Sequence, residues 1–231
     1  TGVYKARDIS APGIGMGGIV PALDYLTASN RKSLGDEVAD FDSGLLNAEG
    51  RNVVVIGGGD TAMDCVRTAI RQKANSVTCL YRRDRANMPS SQREVANAEE
   101  EGVDFRWLSA PQAFLGDNHV RAVQAQKIHL GQPDATGRQV PQIIEDSSHE
   151  IPADLVIKAL GFDPEDIPTM FGAPELEVSK WGTIGVDWRT MMTNLPGVFA
   201  AGDIVRGASL VGWCVRDGRD TAEFINYPIR A

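Results

Sequence analysis

The sequence has little of what defines several large classes of protein. Its three cysteines, Cys65, Cys79 and Cys214, lie far apart and form no Cys-x-x-Cys pair. We therefore expect neither a metal cluster nor a disulfide framework, but reduced thiols in a cytoplasmic protein. No apolar run approaches the roughly 18 residues of a membrane span. The first residues do not resemble a signal peptide, so we expect no membrane association.

The sequence also has few basic residues for its length. It contains 23 Lys and Arg against 31 Asp and Glu among 231 residues, so its formal net charge is −8. We therefore expect no general nucleic-acid-binding surface, although a local basic patch can still bind one phosphate. The chain begins at Thr1 without a methionine, and we expect it to be a piece of a longer polypeptide.

A β-α-β unit is the clearest pattern that is present. Residues 52–56 form a β-branched run, which is typical of a parallel strand buried on both faces. Residues 60–73 have apolar side chains at helical spacing, with Asp60 as the expected N-cap, and residues 77–81 predict the second strand. The unit predicts an α/β fold with a Rossmann-like parallel sheet. Further elements are expected around it: helices over 21–28, 91–101 and 209–226, strands over 104–108, 154–157 and 197–203, and a loop over 30–50.

One segment alternates in polarity instead of following a buried-strand or helix pattern. Short alternating runs within residues 113–146 are separated by turn residues at 116–118 and 132–137. This pattern predicts a small antiparallel meander inserted into the parallel fold. The histidines in or beside it lack the spacing of metal ligands, so we predict no metal site from His119, His129 and His149.

A glycine-rich loop joins the first strand of the β-α-β unit to its helix. In the pattern Gly-x-Gly-x-x-Ala, Gly57 permits a tight turn, Gly59 lets the backbone approach a pyrophosphate, and Ala62 lets the helix pack closely on the strand. The amides at the helix start would face the phosphates. The alternative is a glycine turn that only joins strand to helix. We predict a dinucleotide site formed by Gly57, Gly58, Gly59, Asp60, Thr61 and Ala62.

The residues after the second strand indicate which nicotinamide nucleotide binds. NAD sites usually have an acidic residue there for the ribose 2′-hydroxyl, whereas this strand is followed by Arg82, Arg83 and Arg85. An acid would repel a 2′-phosphate, and a guanidinium binds one bidentately. We therefore predict NADP(H). The alternative is a solvated loop in which Asp84 pairs with an arginine.

A second candidate site lies just before the last predicted helix. Asp203 ends the predicted strand, and a carboxylate there can accept a hydrogen bond from a cofactor hydroxyl. The amides that follow, near Ser209, can donate to an electron-rich ring. The physical argument supports the alternative equally well, and in that alternative Asp203 only caps a turn. Trp213 on the same helix could contact a flavin or a partner, but an aromatic residue in a helix is more often part of a core.

Residues 53–85, with the runs 54–65 and Tyr81-Arg82-Arg83, resemble the NADPH-binding domain of the glutamate synthase small (beta) subunit family. The resemblance covers essentially the whole chain. Its motifs are shared with the reductase part of dihydropyrimidine dehydrogenase and with adrenodoxin-reductase-like enzymes. The match continues over 100–103, 159–162, 197–203, 207–211 and 216–219.

In this family the NADPH domain is inserted into an FAD domain. The resemblance therefore implies a residual FAD-domain segment over 1–15, an NADP-binding domain over 16–160, and the C-terminal part of a second, partial FAD-binding α/β domain over 161–231. The chain would return to the flavin domain near Gly161. The resemblance also implies that Asp203 binds the ribityl or pyrophosphate region of FAD. The further flavin-side residues that it implies are Gly161, Gly202, Ser209, Leu210, Val211 and Gly218.

The resemblance also implies a reaction and a partner. Family members pass a hydride from NADPH to FAD and send electrons through iron–sulfur clusters to a large (alpha) subunit that makes glutamate from glutamine and 2-oxoglutarate. The cluster cysteines and the FAD glycine loop belong to an N-terminal region that this sequence lacks, so FAD binding is expected only with that region. Because the cofactors carry the chemistry, we predict no catalytic side chain. The alternatives are a non-catalytic NADP-binding or interaction module and a different FAD-dependent NADPH reductase of the same fold.

Overall fold

The computed structural model describes residues 1–133 and 139–226. Most of the turn predicted over 132–137 lies outside the described residues. The chain divides into two compact units: a larger unit, Asp8–Gly161, and a smaller unit that joins Thr1–Arg7 to Phe162–Ala231. In chain order the elements are β1 (Lys5–Ala6), β2 (Ile19–Pro21), α1 (Ala22–Ser33), α2 (Ala39–Asp42), β3 (Asn52–Ile56), α3 (Asp60–Arg71), β4 (Ser76–Leu80), α4 (Gln92–Glu100), β5 (Asp104–Arg106), β6 (Ser109–Gly116), β7 (Val120–Pro133), β8 (Gln139–Ile143), β9 (His149–Pro152), β10 (Leu155–Lys158), β11 (Phe162–Asp163), α5 (Ile167–Met170), α6 (Asp203–Arg206) and α7 (Val211–Asn226).

A five-stranded parallel sheet forms the centre of the larger unit, in the order β2-β10-β3-β4-β5. In β3, Val53 and Val55 belong to the core on one face of the sheet, while Val54 and Ile56 belong to the core on the other face. All four side chains are at most 4% exposed. Burial on both faces is why the central strand is an unbroken apolar run.

The two faces of this sheet are covered by different layers. Buried residues of α1, α3 and α4 pack on one face, and an antiparallel sheet packs on the other. In the antiparallel sheet, the long strand β7 pairs with β6, β8 and β9. The predicted α/β fold with a parallel sheet and a small antiparallel meander is confirmed, and the meander begins earlier than predicted, at Ser109.

The smaller unit has short elements around its own core. Strands β1 and β11 pair antiparallel, and helices α5, α6 and α7 follow. The strand predicted over 197–203 is wrong: Phe199 makes a single bridge, to Met192, and Asp203 begins a helix. A strand needs a partner along its length, and Gly202 at φ +80° ends the extended backbone. The core contains Ile167, Leu176, Ile184, Met191, Ile204 and Val205.

Three local predictions in the larger unit are also wrong in detail. The helix predicted over 21–28 continues to Ser33, and α2 lies within the predicted loop over 30–50. Asp60 is not the N-cap of α3, because the extended residue before it, Gly59, takes that position and Asp60 begins the helix. Within the described ranges, no helix has both the length and the apolar composition needed to cross a membrane.

Candidate functional site

The loop between β3 and α3 requires a glycine at its first position. Gly57 has φ +147°, and a Cβ built there would lie 2.1 Å from the carbonyl oxygen of Ala159. Its amide donates to the carbonyl oxygen of Leu80 at 3.2 Å. The loop therefore passes the ends of β10 and β4 too closely for any side chain at this position.

Gly59, by contrast, faces open space. A Cβ built on it would meet no protein atom within 4 Å. Its carbonyl oxygen accepts the amide of Ala62 at 2.9 Å, and Ala62 itself is fully buried. Packing inside the protein therefore explains the small residues at positions 57 and 62, whereas the space beside Gly59 is available to a ligand.

The first backbone amides of α3 are free to bind such a ligand. Among the described residues, no protein acceptor is hydrogen-bonded to the N–H groups of Gly58, Gly59, Asp60 and Thr61. Free N–H groups at a helix N-terminus carry partial positive charge and bind phosphate. The loop and the first turn of α3 therefore form a phosphate cradle, by which we mean residues 57–62.

Two side chains that the sequence analysis missed hold this cradle. A Cβ on Gly58 would lie 2.4 Å from the ring of Tyr81, so the ring covers the loop directly. The buried Ser90 donates its hydroxyl to Asp60 Oδ1 at 2.8 Å and its amide to the carbonyl oxygen of Gly58 at 3.3 Å. The Pro-Ser-Ser run before α4 indicates a helix start, but it carries no signal of this long-range contact.

Arg82 and Arg83 follow β4 with their guanidinium groups uncommitted. In the part of the chain that the structure describes, neither group has a hydrogen-bond or ion-pair partner, and Arg82 is exposed. Among the described residues, no arginine pairs with Asp84 as the alternative expects; its Oδ1 accepts the amide of Asn87 at 2.9 Å. Two cationic groups therefore remain available beside the end of β4.

The third predicted arginine, Arg85, is engaged within the larger unit. Its Nη1 lies 2.5 and 2.6 Å from the two carboxylate oxygens of Glu99 on α4. Its Nε donates to the side chain of Gln92 at 3.2 Å. Arg85 thus differs from its two neighbours in having its charge already paired.

In the smaller unit, Asp203 organises the turn between α6 and α7. Its Oδ1 accepts the amide of Ser209 at 3.2 Å and the thiol of Cys214 at 3.1 Å. This geometry matches the alternative reading, in which Asp203 caps a turn. No donor among the described residues contacts Oδ2, so the second oxygen can still accept a bond from a ligand hydroxyl.

The other predicted flavin-side residues do not all belong to this turn. Leu210 and Val211 are exposed beside it, and no protein acceptor in the described ranges is hydrogen-bonded to their amides. Gly218 lies two turns further along α7, where an added Cβ would meet no atom within 4 Å. Gly161 is the last residue of the larger unit.

An ion pair that the sequence did not reveal stabilises the same turn. Arg206 binds Asp217 through two hydrogen bonds of 2.5 and 2.7 Å, and Asp217 is only 3% exposed. The guanidinium carbon lies 5.0 Å from the ring of Trp188 and 5.2 Å from that of Trp213, within cation–π range. Trp213 is therefore a partly exposed partner of Arg206 and not a core residue.

This ion pair makes stability depend on pH. The Arg206 guanidinium holds the pKa of Asp217 below its ordinary value. A lowered folded-state pKa stabilises the fold above about pH 4, and the contribution is lost as the pH falls through the lowered pKa. We expect Asp217→Asn to lower the urea midpoint at neutral pH and to weaken its fall below about pH 4, as followed by tryptophan fluorescence. The exposed Asp220→Asn on α7 is the control, and an equal acid response in both variants would contradict the assignment.

Two of the three cysteines have the packing role that the sequence predicts. Cys65 and Cys79 are fully buried in the core under α3, and burial raises the pKa of both thiols. Their role as packing residues is confirmed. Cys214 is half-buried and donates to Asp203, whose carboxylate raises the pKa of the thiol.

Comparison with known proteins assigns these features to a family. The sequence pattern of the pyridine nucleotide-disulphide oxidoreductases matches residues 1–218. The chain belongs to this family. The match spans both structural units, and it confirms the expectation of an oxidoreductase family that the resemblance implied.

Within the pyridine nucleotide-disulphide oxidoreductases, the chain is similar to glutamate synthase (NADPH) small chains. It is 69% identical to that of Azospirillum brasilense over 98% of this chain and 47% of the relative. It is 44% identical to that of Halomonas elongata over 97% of this chain and 48% of the relative. The predicted resemblance is confirmed, and the chain spans about half the length of these relatives.

A solved structure of the same architecture supports the fold. The thioredoxin reductase of T. acidophilum matches all of this chain, 100%, and 64% of its own chain, with a TM-score of 0.72 and 19% sequence identity. At that identity the likeness concerns the fold alone. It agrees with the mixed α/β architecture that both units of this chain show.

Proposed function

We propose that this chain is the NADPH-binding part and the C-terminal flavin-binding part of an NADPH-dependent flavin oxidoreductase of the glutamate synthase small-subunit type. The observation that carries the proposal is the phosphate cradle, with its unbonded amides and the open space beside Gly59. The high identity to glutamate synthase small chains supports the same conclusion.

On the nicotinamide side, the predicted residues other than the already paired Arg85 have surroundings that permit a binding role. The amides of residues 58–61 would bind the pyrophosphate, and Gly59 would let it approach the backbone. Arg82 and Arg83 would bind the 2′-phosphate, because their guanidinium groups are free to form bidentate contacts. The Tyr81 ring and the Ser90 hydroxyl would keep the cradle in place.

On the flavin side, the free Oδ2 of Asp203 fits a ribityl hydroxyl, and the amides of Leu210 and Val211 fit an electron-rich ring edge. When bound, NADPH and FAD supply the hydride chemistry themselves. The residues of this chain then bind and orient the two cofactors. None of them needs to act as an acid, a base or a nucleophile.

The larger assembly is part of the same proposal. We infer a longer polypeptide that completes the FAD domain and holds the iron–sulfur clusters, with a glutamate synthase large subunit as the partner and electron acceptor. The length of the Azospirillum relative supports the longer polypeptide, and its name, a glutamate synthase small chain, supports the large-subunit partner. The domain limits 1–15, 16–160 and 161–231, the predicted cofactor-binding residues and the cytoplasmic location stay predictions.

A stoichiometric assay tests the proposal. A polypeptide that contains this chain and a complete FAD domain is expected to reduce ferricyanide with NADPH when FAD is present. Because NADPH supplies two electrons and ferricyanide takes one, two ferricyanide ions should be reduced for each NADPH oxidised. The 231-residue chain alone should bind NADPH without catalysing the reaction.

Three outcomes separate the readings. Reduction with the expected stoichiometry supports the flavin oxidoreductase. NADPH binding by the chain, with neither flavin binding nor ferricyanide reduction by the longer polypeptide, supports a non-catalytic NADP-binding module instead. Ferricyanide reduction without transfer of electrons to a glutamate synthase large subunit supports a different reductase of the same fold.

A further inference from the structure

The loop that carries the two free arginines is fastened at several points. We define the arginine loop as residues 82–90. Near its start the carbonyl oxygen of Arg83 accepts the amide of Leu108 at 3.1 Å. Towards its end the carbonyl oxygen of Asn87 accepts the Tyr81 hydroxyl at 3.1 Å, and the buried Ser90 is bonded to Asp60. Met88 is also buried. These contacts hold the two ends of the loop and leave its middle to be held separately.

The middle of the arginine loop is held by a clamp on α4. Arg85 contributes its guanidinium to both carboxylate oxygens of Glu99 and to the side-chain oxygen of Gln92. Gln92 returns a bond at 3.1 Å from its amide nitrogen to the backbone carbonyl oxygen of Arg85. The clamp, by which we mean Arg85, Gln92 and Glu99, therefore holds both the side chain and the backbone of residue 85.

The clamp lies close in sequence to Arg82 and Arg83 and can therefore affect the positions of their guanidinium groups. Residue 85 lies two positions after Arg83, whose carbonyl oxygen accepts the amide of Leu108 at 3.1 Å, so this bond and the clamp together fix the backbone that carries the two free guanidinium groups. A bidentate contact with phosphate needs a defined guanidinium position, and ordering a mobile loop on binding lowers affinity. Glu99 accepts from Nη1 and Gln92 from Nε, so two of the three guanidinium nitrogens of Arg85 are already committed, unlike those of Arg82 and Arg83.

From this geometry we propose that Arg85 and Glu99 are positioning residues for 2′-phosphate selectivity. Arg85 anchors the arginine loop to α4 through Glu99 and Gln92, and Arg82 and Arg83 alone contact the phosphate. This inference rests on the proposed NADP(H) site and deepens it. It assigns Arg85 a role different from the direct contact that the sequence pattern predicts.

Two adenosine ligands measure the effect of the clamp on selectivity for the 2′-phosphate. Adenosine 2′,5′-bisphosphate and 5′-AMP differ only in the 2′-phosphate, so the dissociation constant of 5′-AMP divided by that of the bisphosphate reports selectivity. We expect Arg85→Ala and Glu99→Gln each to lower this ratio about fivefold, the range of one well-placed exposed ion pair. The Arg85→Ala/Glu99→Gln double variant should lose no more than either single variant, because both changes break the same contact.

The Glu99→Gln variant separates an anchor from a ligand. If Arg85 were a phosphate ligand, breaking its pair with Glu99 would free it, and selectivity would rise or stay unchanged. The charge swap Arg85→Glu/Glu99→Arg restores the ion pair, so we expect it to recover most of the selectivity. A swap that stays as poor as Arg85→Ala, or a Glu99→Gln variant that is as selective as the wild type, would overturn the proposal.

Control variants distinguish a failure of the positioning role from a failure of the proposed NADP(H) site. Arg121→Ala breaks another exposed pair in the larger unit, with Glu150, and should leave selectivity unchanged. Urea midpoints of all variants report whether the unit is folded. If the wild-type chain itself binds both ligands equally, the proposed NADP(H) site is wrong. If the wild type discriminates and the clamp variants discriminate equally well, only the positioning role is wrong.

Discussion

Replacing Arg82 and Arg83 together by alanine should weaken NADPH binding about 100-fold and change NADH binding by less than about twofold. Each guanidinium can form charge-assisted hydrogen bonds with the 2′-phosphate, and such bonds contribute about 1.5–3 kcal/mol each. NADH has a hydroxyl in that place and gains nothing from either charge. Isothermal titration calorimetry of the two nucleotides measures both effects on one protein preparation.

Two further variants show what the arginines contribute. Arg82→Lys with Arg83→Lys keeps both charges but loses the planar fork, so NADPH affinity should fall between those of the wild type and the alanine variant. Arg93→Ala removes an exposed arginine from α4 and should leave both nucleotides unaffected. An equal loss of NADPH and NADH binding in the alanine variant would refute the 2′-phosphate assignment.

Gly57→Val should reduce the free energy of unfolding by about 3 kcal/mol or more. The new side chain would meet the carbonyl oxygen of Ala159 at 2.1 Å, in a backbone conformation of φ +147° that branched residues avoid. Neither β3 nor β10 can retreat, because both are buried central strands of the parallel sheet. Urea unfolding at constant m-value measures the loss.

Gly59→Val is the matched variant two residues further along. The Cβ of the new side chain meets no protein atom within 4 Å, so the loss in free energy of unfolding should stay near the cost of a poor N-cap, about 1 kcal/mol. It fills the space beside the phosphate cradle, so NADPH affinity should fall at least about 30-fold. A Gly57→Val protein as stable as the wild type would contradict the packing role of Gly57. A Gly59→Val protein that binds NADPH normally would contradict the ligand site beside Gly59.

Local sequence was sufficient where the local pattern and the tertiary environment agree. The β-branched run of β3 and the helical spacing after Gly59 led to the correct elements within two residues at either end. The sheet is covered on both faces, and this environment stabilises the strand and helix conformations that these residues already prefer. The predicted strand over 197–203 failed because the described residues supply a single bridge beside it, at Met192.

Contacts between distant residues could not be predicted in the same way. The bond from Ser90 to Asp60 spans 30 positions, and the bond from Arg85 to Glu99 spans 14. Neither pair has a periodic or short-range pattern: the first joins the start of α3 to the residue before the N-cap of α4, and the second joins the loop after β4 to the end of α4. The same holds for the Arg206 and Asp217 pair, which joins α6 to α7 across 11 positions.

The sequence by itself determined the class of fold, the place of the glycine loop and the chemical character of the groups that follow β4. These features depend on neighbouring residues, whose spacing and backbone freedom act within a single turn or strand. Only the tertiary structure decided that packing within the protein requires glycine at position 57, while the space beside Gly59 is open to a ligand. It also decided that Arg85 is already paired while Arg82 and Arg83 are free. The physical reason is that packing and charge pairing depend on which distant groups the fold brings within contact distance, and a linear pattern does not contain that information.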